Sequence, residues 1–369
     1  MYEAALTNRR LFRDFVRPLL YLRTGGDPER VHEFAIDFLR KHESTFESTR
    51  ARFDFPDLQL DVLGRRRIPF GTAAGFDKDG DALYPLGFIF GFEEPGTVVL
   101  AEREGNPMPR IAVDGKRRDL YNAQGFPSKG ANHFLSNIRS YKERNGEAPL
   151  LISISGLPAP ANPIESSLAE METLAEMVGP YADGLVWNPF SPNTASLRML
   201  RTKETFLATA ELLKKKVGRK AKLVKMGPYE DEPEARSEWL GLLRGWMDGG
   251  GDGAVCVNTY TVPRTQVPAG NWGYPTAGRS GRFLREYRNR ALRDARAAFP
   301  ESLIVATGGI DTGLEAWNAF EAGANLIEGY TPYIFEGFGL LRDIALQLRS
   351  ILRDRGYKDL SGYIQSRHD

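Results

Sequence analysis

The stretch Leu303-Ile-Val-Ala-Thr-Gly-Gly-Ile-Asp-Thr-Gly-Leu-Glu-Ala-Trp-Asn-Ala-Phe-Glu-Ala-Gly-Ala-Asn-Leu-Ile-Glu-Gly-Tyr-Thr331 holds the fold in miniature. Leu303–Gly309 is a continuous apolar run, Gly313–Glu321 has helical spacing, and Asn325–Thr331 is a second apolar run. Strands that are apolar throughout, rather than at alternate positions, predict parallel neighbours covered on their outer face. Outward from this unit the alternation recurs. Apolar runs at Ile68–Ala74, Phe88–Val99, Leu150–Gly156, Gly184–Phe190, Lys222–Gly227 and Gly253–Tyr260 bring the strands to eight. Helical stretches at Asp79–Leu86, Ser166–Val178, Lys203–Val217, Pro233–Asp248 and Phe283–Phe299 lie between most of them. Eight such units are the count of a closed α/β barrel, the (β/α)8 TIM barrel, predicted over residues 51–369. Asp114-Gly115, between short β-type arms in Arg110–Leu120, predicts a hairpin inserted before the third strand. A helix from about Gly339 to Arg353 closes the barrel.

Residues 1–50 form a small N-terminal helical extension of different character. Leu11, Phe12, Phe15, Val16, Leu19, Leu20 and Leu22 recur at helical spacing, interleaved with Arg9, Arg10, Arg13, Arg17 and Arg23. A second helix is predicted from Pro28 to Lys41, with Asp27 as N-cap and Pro28 in the first turn. The pattern serves either a structural appendage or a basic, apolar foot for a membrane surface.

Composition narrows the function. A net charge of +1 over 369 residues gives no basic excess for nucleic acid. The single cysteine, Cys256, excludes an internal disulfide framework and a cysteine-ligated metal, and four scattered histidines argue against a histidine site, so no metal is expected. No run of eighteen apolar residues and no signal-peptide pattern occur, which makes an intracellular location the expectation.

In such a barrel the chemistry collects at the C-terminal strand ends. After the fourth strand comes Trp187-Asn-Pro-Phe-Ser-Pro-Asn-Thr194, two amides (Asn188, Asn193) around one hydroxyl (Ser191), which Pro189 and Pro192 flank. Proline stiffens the loop, amides read the N–H and C=O edge of a small heterocycle, and the hydroxyl is placed to take a proton. Ala73, Ala74 and Gly75 follow the first strand, small enough for a flat ring to lie on the backbone, with Lys78 close behind. Gly96-Thr97 follows the second strand, Lys225 ends the fifth and Asn258-Thr259 the sixth. An interior lysine without a counter-charge is costly, so Lys225 is expected to face a ligand. Cys256 reads as a core filler. Gly308-Gly309 and Tyr330-Thr331 end the last two strands as a phosphate cradle. This inventory suits a flavin mononucleotide (FMN) enzyme, in which the cofactor carries the hard chemistry.

These residues resemble the dihydroorotate dehydrogenases, nearest the quinone-dependent, membrane-associated class 2. The resemblance rests on Asp27-Pro-Glu-Arg-Val-His-Glu-Phe34, Ala73-Ala-Gly-Phe-Asp-Lys-Asp-Gly80, Gly105-Asn-Pro-Met-Pro-Arg110, Ser191-Pro-Asn-Thr194, Asn258-Thr259, Gly308-Gly-Ile310 and Tyr330-Thr331. It implies FMN, oxidation of dihydroorotate to orotate in pyrimidine biosynthesis, and a membrane quinone as acceptor. It further implies peripheral attachment through the N-terminal helices on the cytoplasmic side of the inner membrane. Ser191 would be the base, where class 1 enzymes carry cysteine. Lys78, Asn122, Gly125, Phe126, Asn188, Asn193, Asn258 and Thr259 would bind substrate. Ala73, Ala74, Gly75, Lys78, Thr97, Asn188, Lys225, Ser280, Gly281, Gly308, Gly309, Tyr330 and Thr331 would hold FMN.

Four segments depart from the family pattern. Asn122-Ala-Gln-Gly-Phe-Pro-Ser128 lacks the usual arginine, and Arg110-Ile-Ala-Val113 lacks the second arginine beside the quinone tunnel. Ile152-Ser-Ile-Ser-Gly-Leu-Pro158 replaces a flavin-facing asparagine, for which Ser153 or Ser155 would substitute, and Thr276-Ala-Gly-Arg-Ser-Gly-Arg-Phe283 is altered. The rival readings are a paralogous FMN barrel with another acceptor or cyclic amide, and a non-redox, phosphate-binding barrel isomerase.

Overall fold

The computed structural model describes residues 2–367. Eight parallel strands form the barrel: β1 Phe70–Thr72, β2 Phe92–Glu93, β3 Leu151–Ile154, β4 Gly184–Trp187, β5 Ala221–Met226, β6 Gly253–Cys256, β7 Leu303–Thr307 and β8 Leu326–Gly329. They pair in the order β2-β1-β8-β7-β6-β5-β4-β3. Bridges Glu93–Leu150 and Val98–Ile154 join the two end strands and complete the ring. Seven of the strands are trimmed versions of the apolar runs that predict them, and β5 starts one residue earlier, at Ala221.

Side chains alternate along a strand, so every second residue points inward. Phe92, Leu151, Val186, Leu223, Val255, Val305 and Leu326 meet inside the ring as an apolar plug, sealed from below by Val62. Val62 belongs to a hairpin, Leu60–Val62 with Arg65–Arg67. Two residues further along the strands, the next inward layer holds Glu94, Ser153, Asn188, Lys225, Val257, Thr307 and Glu328. That layer is mostly polar and wholly buried. It forms the floor of the functional end.

Outside the ring lie the helices Pro163–Val178, Lys203–Val217, Pro233–Asp248, Arg285–Ala298, Gly313–Glu321 and Gly339–Asp354, close to their predicted bounds. The first barrel helix is short, Leu83–Leu86. A further one, Ala131–Glu143, is absent from the sequence reading. Trp187, Trp246, Phe206 and Trp317 fill the layer between strands and helices.

The predicted hairpin forms, Ile111–Asp114 with Asp119–Asn122, but it is half of a larger unit. Tyr260–Pro263 and Thr276–Gly281 complete a four-stranded antiparallel sheet over the barrel mouth. Trp272 is buried beneath it.

At the N-terminus, Arg9–Arg23 is one continuous helical run whose middle, Phe12–Val16, is wound as a π-helix. Pro28–Lys41 follows as predicted, and the Asp27 carboxylate accepts the Glu29 and Arg30 N–H groups. Arg9 and Arg118 pair with Glu336 at 2.5 Å, and Arg110 pairs with Glu29 at 2.9 Å. Phe15, Leu19 and Leu22, at i, i+4 and i+7, are 64%, 64% and 79% exposed. No helix among the described residues is long and apolar enough to cross a membrane.

Candidate active site

A cavity of about 1080 Å³, counting its open mouth, lies at the C-terminal ends of the strands. Loops after β1, β2, β4, β6, β7 and β8 line it, together with the hairpin and the Ser280-Gly281 arm of the cap sheet. Nearly every residue singled out in the sequence reaches this wall: Ala73, Ala74, Gly75, Lys78, Thr97, Asn122, Gly125, Phe126, Asn188, Ser191, Asn193, Lys225, Asn258, Thr259, Ser280, Gly281, Gly308, Gly309, Tyr330 and Thr331. Ser153 and Ser155 stay off it. The Ser153 hydroxyl lies 2.9 Å from Thr97 Oγ1, and Ser155 donates to the Asn188 carbonyl.

The amides are locked to one another. Asn188 Nδ2 donates to Thr97 Oγ1 at 2.9 Å, and Asn258 Nδ2 donates to Asn188 Oδ1 at 2.9 Å. The Thr259 N–H in turn donates to Asn258 Oδ1 at 2.7 Å. On the other side Asn193 Nδ2 donates to Asn122 Oδ1 at 2.6 Å, and Asn122 Nδ2 donates to the Gly278 carbonyl. Each amide therefore has a fixed direction and still has hydrogen-bonding capacity left for a ligand. Ser191 lies between Asn188 and Asn193 in the chain and lines the same cavity, 9% exposed. Thr194 Oγ1 and Thr259 Oγ1 are buried without a partner. Of the two, Thr259 lines the cavity, and an orphaned hydroxyl there is the expected mark of a site built around a missing guest.

The first-strand loop is held from behind by Asp77, whose carboxylate accepts the Asp81 and Ala82 N–H groups. Gly75, at φ +94°, sits where an added Cβ would meet nothing within 4 Å, so its bare backbone faces open cavity. Gly309, at φ +70°, has no such room: a Cβ there would lie 2.8 Å from the Gly281 carbonyl oxygen. The backbones of the Gly281 and Gly309 loops thus come together at one edge of the cavity, where Ser280 Oγ and Thr331 Oγ1 lie 2.8 Å apart. Bare backbone at one end and a glycine and hydroxyl cradle at the other fit a flat ring carrying a phosphate tail.

Lys225 corrects an expectation. It is not an uncompensated cation aimed at a ligand, because Glu94 and Glu328 from the same inner layer hold it at 2.9 and 3.0 Å. Sequence reading gave no role to His32, which appears there only within the Asp27–Phe34 stretch. It is buried, edge-on to the rings of Phe76 and Tyr330. Burial, with Lys78 adding to it, lowers its pKa to about 3, so the ring is neutral. Burial also pulls the Lys78 ammonium below its usual range, with Glu29 opposing and Arg110 adding to the pull. The signal for His32 is its place in Asp27-Pro-Glu-Arg-Val-His32, on the face of that helix turned to the barrel.

The family model for dihydroorotate dehydrogenase matches residues 58–352, most of the chain. The chain belongs to the dihydroorotate dehydrogenase family. A flavin cofactor comes with that membership. Among relatives, the mitochondrial dihydroorotate dehydrogenase (quinone) of Mus musculus is 32% identical over 363 residues, covering 93% of this chain and 87% of its own. The quinone enzyme of Delftia acidovorans is 30% identical over 345 residues, covering 89% and 95%. Among solved structures, a DHODH of Eimeria tenella in complex with ferulenol superposes with a TM-score of 0.79 at 25% identity, over 92% of this chain and 94% of that one.

Proposed function

We propose that this chain is a class 2 dihydroorotate dehydrogenase, using FMN to oxidise dihydroorotate to orotate and passing the electrons to a membrane quinone. The observation that carries the reading is the convergence of Ser191, four oriented amides and Lys78 on one cavity. A dihydropyrimidine presents imide N–H and C=O groups, which Asn122, Asn188, Asn193 and Asn258 would read from fixed positions. Lys78 would neutralise the substrate carboxylate. Bound FMN supplies a hydride acceptor. It would rest on Ala73, Ala74 and Gly75, with its phosphate at Gly281, Gly308, Gly309 and Thr331 and its ring above Lys225, and with Thr97, Asn188, Ser280 and Tyr330 along its sides.

Ser191 would remove the ring proton. A serine hydroxyl is a weak base and needs a relay. The unpartnered hydroxyls of Thr194 and Thr259 are available for one.

Residues 1–50 are read as the membrane and quinone segment. Phe15, Leu19 and Leu22 would enter the lipid interface, with Arg10, Arg13, Arg17 and Arg23 at the headgroups on the cytoplasmic face. Pro28–Lys41 reaches the cavity wall through His32 and Tyr330.

Purified protein tests the proposal directly. It should be yellow, release FMN on denaturation and bleach with dihydroorotate under anaerobic conditions. Ubiquinone or menaquinone should restore the colour faster than fumarate or NAD. Colourless protein would transfer the case to a barrel isomerase; bleaching without quinone preference would keep the substrate and change the acceptor.

A further inference from the structure

The polar layer above the barrel plug has one more acid than it has cations. Lys225 Nζ lies 2.9 and 3.2 Å from the two Glu94 oxygens and 3.0 Å from Glu328 Oε1. Both acids are shielded from solvent, 0% and 1% exposed. No other cation pairs with either acid among the described residues. Glu328 Oε2 has no donor within reach, although Glu328 lines the cavity. The strand neighbours of Glu328 in register are Thr307 and Gly71, neither of them ionisable. The next ionisable groups on the cavity wall, Lys78 and Tyr330, belong to the loops above. A lone excess charge over an apolar plug is an expensive arrangement, and uptake of a proton relieves it.

We infer that Glu94 and Glu328 share one proton across Lys225, carried on Glu328, and that this neutral acid is a positioning residue for the cofactor. It holds Lys225 in place and sets the charge of the floor at zero instead of minus one. Burial and the Glu94 charge push Glu328 well above the usual carboxylate range, and Lys225 offsets only part of that. Burial acts against the Lys225 ammonium, but the two acids more than compensate and raise it. Because the ring that would sense this charge is FMN, the role of the pair rests on the function proposed above. The proton does not.

The test is Glu328→Gln, which keeps shape, neutrality and a donor. Infrared difference spectra, wild type minus Glu328→Gln, with or without flavin, should contain the carbonyl stretch of a buried protonated carboxyl belonging to Glu328, the Glu93 carboxyl being common to both proteins and cancelling. The flavin reduction potential of the variant should match wild type at pH 7. As pH rises, the wild-type potential should fall away from that of the variant as the shared proton leaves. A difference spectrum without that Glu328 band, or a variant potential already raised at pH 7, would overturn the inference, since each means that Glu328 carries a full charge. If Glu328→Gln does not fold, Glu94→Gln replaces it. There Glu328 is the sole counter-ion of Lys225, ionises, and the band should vanish; a persisting band would refute the sharing. Protein that never takes up FMN would end the flavin reading and leave the infrared result to decide the proton.

Discussion

The barrel floor and the N-terminal helix invert the ordinary placement of side chains in opposite ways. The floor buries Glu94, Lys225, Glu328 and Asn188 in the middle of the fold. The helix leaves Phe15, Leu19 and Leu22 in water. Buried charge and exposed aliphatic stripes are the two departures that packing alone does not explain. The floor compensates internally, through ion pairs and amide chains that fix the geometry of a site. The foot has no such internal compensation for these side chains, and under the function proposed above a lipid surface would supply it. Under the proposed function, one inversion marks chemistry and the other attachment.

Four perturbations sharpen this contrast. The largest effect is expected at Ser191. Ser191→Ala should slow anaerobic flavin reduction by dihydroorotate about 10²- to 10⁴-fold in stopped flow while flavin content stays constant. An unchanged rate would put the base elsewhere. Next is the foot. Phe15→Asp, Leu19→Asp and Leu22→Asp together should weaken sedimentation with anionic vesicles by at least about tenfold, given the apolar area removed. Flavin reduction by dihydroorotate should be untouched, because no cavity residue changes. Loss of both activities together would erase the distinction between the two regions.

His32 joins the regions and gives a smaller, pH-dependent effect. Its folded pKa, about 3, lies below the ordinary histidine value, so the unfolded chain binds the extra proton and acid destabilises the fold. That loss begins near pH 6.5 and reaches about tenfold in the folding equilibrium at pH 5.5. His32→Phe should flatten that part of the melting-temperature profile. Glu93 acts at the other end of the scale. It faces the helical layer, fully buried, with neither carboxylate oxygen partnered. Burial, with Asp77 adding to it, raises it well above its usual range, so stability is retained at low pH and lost as pH climbs through the raised value. Glu93→Gln should raise the melting temperature more at pH 8 than at pH 5. Equal shifts at both would mean that Glu93 is charged throughout.

What was legible in the sequence follows the range of the interactions. Most of the eight strands are predominantly apolar on both faces, so they declare themselves locally. The amide and serine loop is legible because Asn188, Ser191 and Asn193 are neighbours in the chain. Ala131–Glu143 escaped notice because only Ala131, Phe134, Ile138 and Tyr141 are buried, spread among Asn, Ser, Lys and Arg. The cap sheet escaped because Thr276–Gly281 is glycine-rich and pairs with Asp119–Asn122 across more than 150 residues. Lys225 was legible as a buried cation but not as a paired one, since Glu94 and Glu328 lie 131 and 103 positions away. Local pattern reports elements; charge balance is a property of the closed ring.

Glu336 ends the short helix that begins at Thr331, the same segment that supplies one edge of the cavity. Arg9 from the foot and Arg118 from the cap hairpin both terminate on it. N-terminal helix, cap sheet and cavity edge are thus riveted through one carboxylate. A lesion there would loosen three regions at once, the N-terminal helix, the cap sheet and the rim of the cavity, with a single origin in the chain.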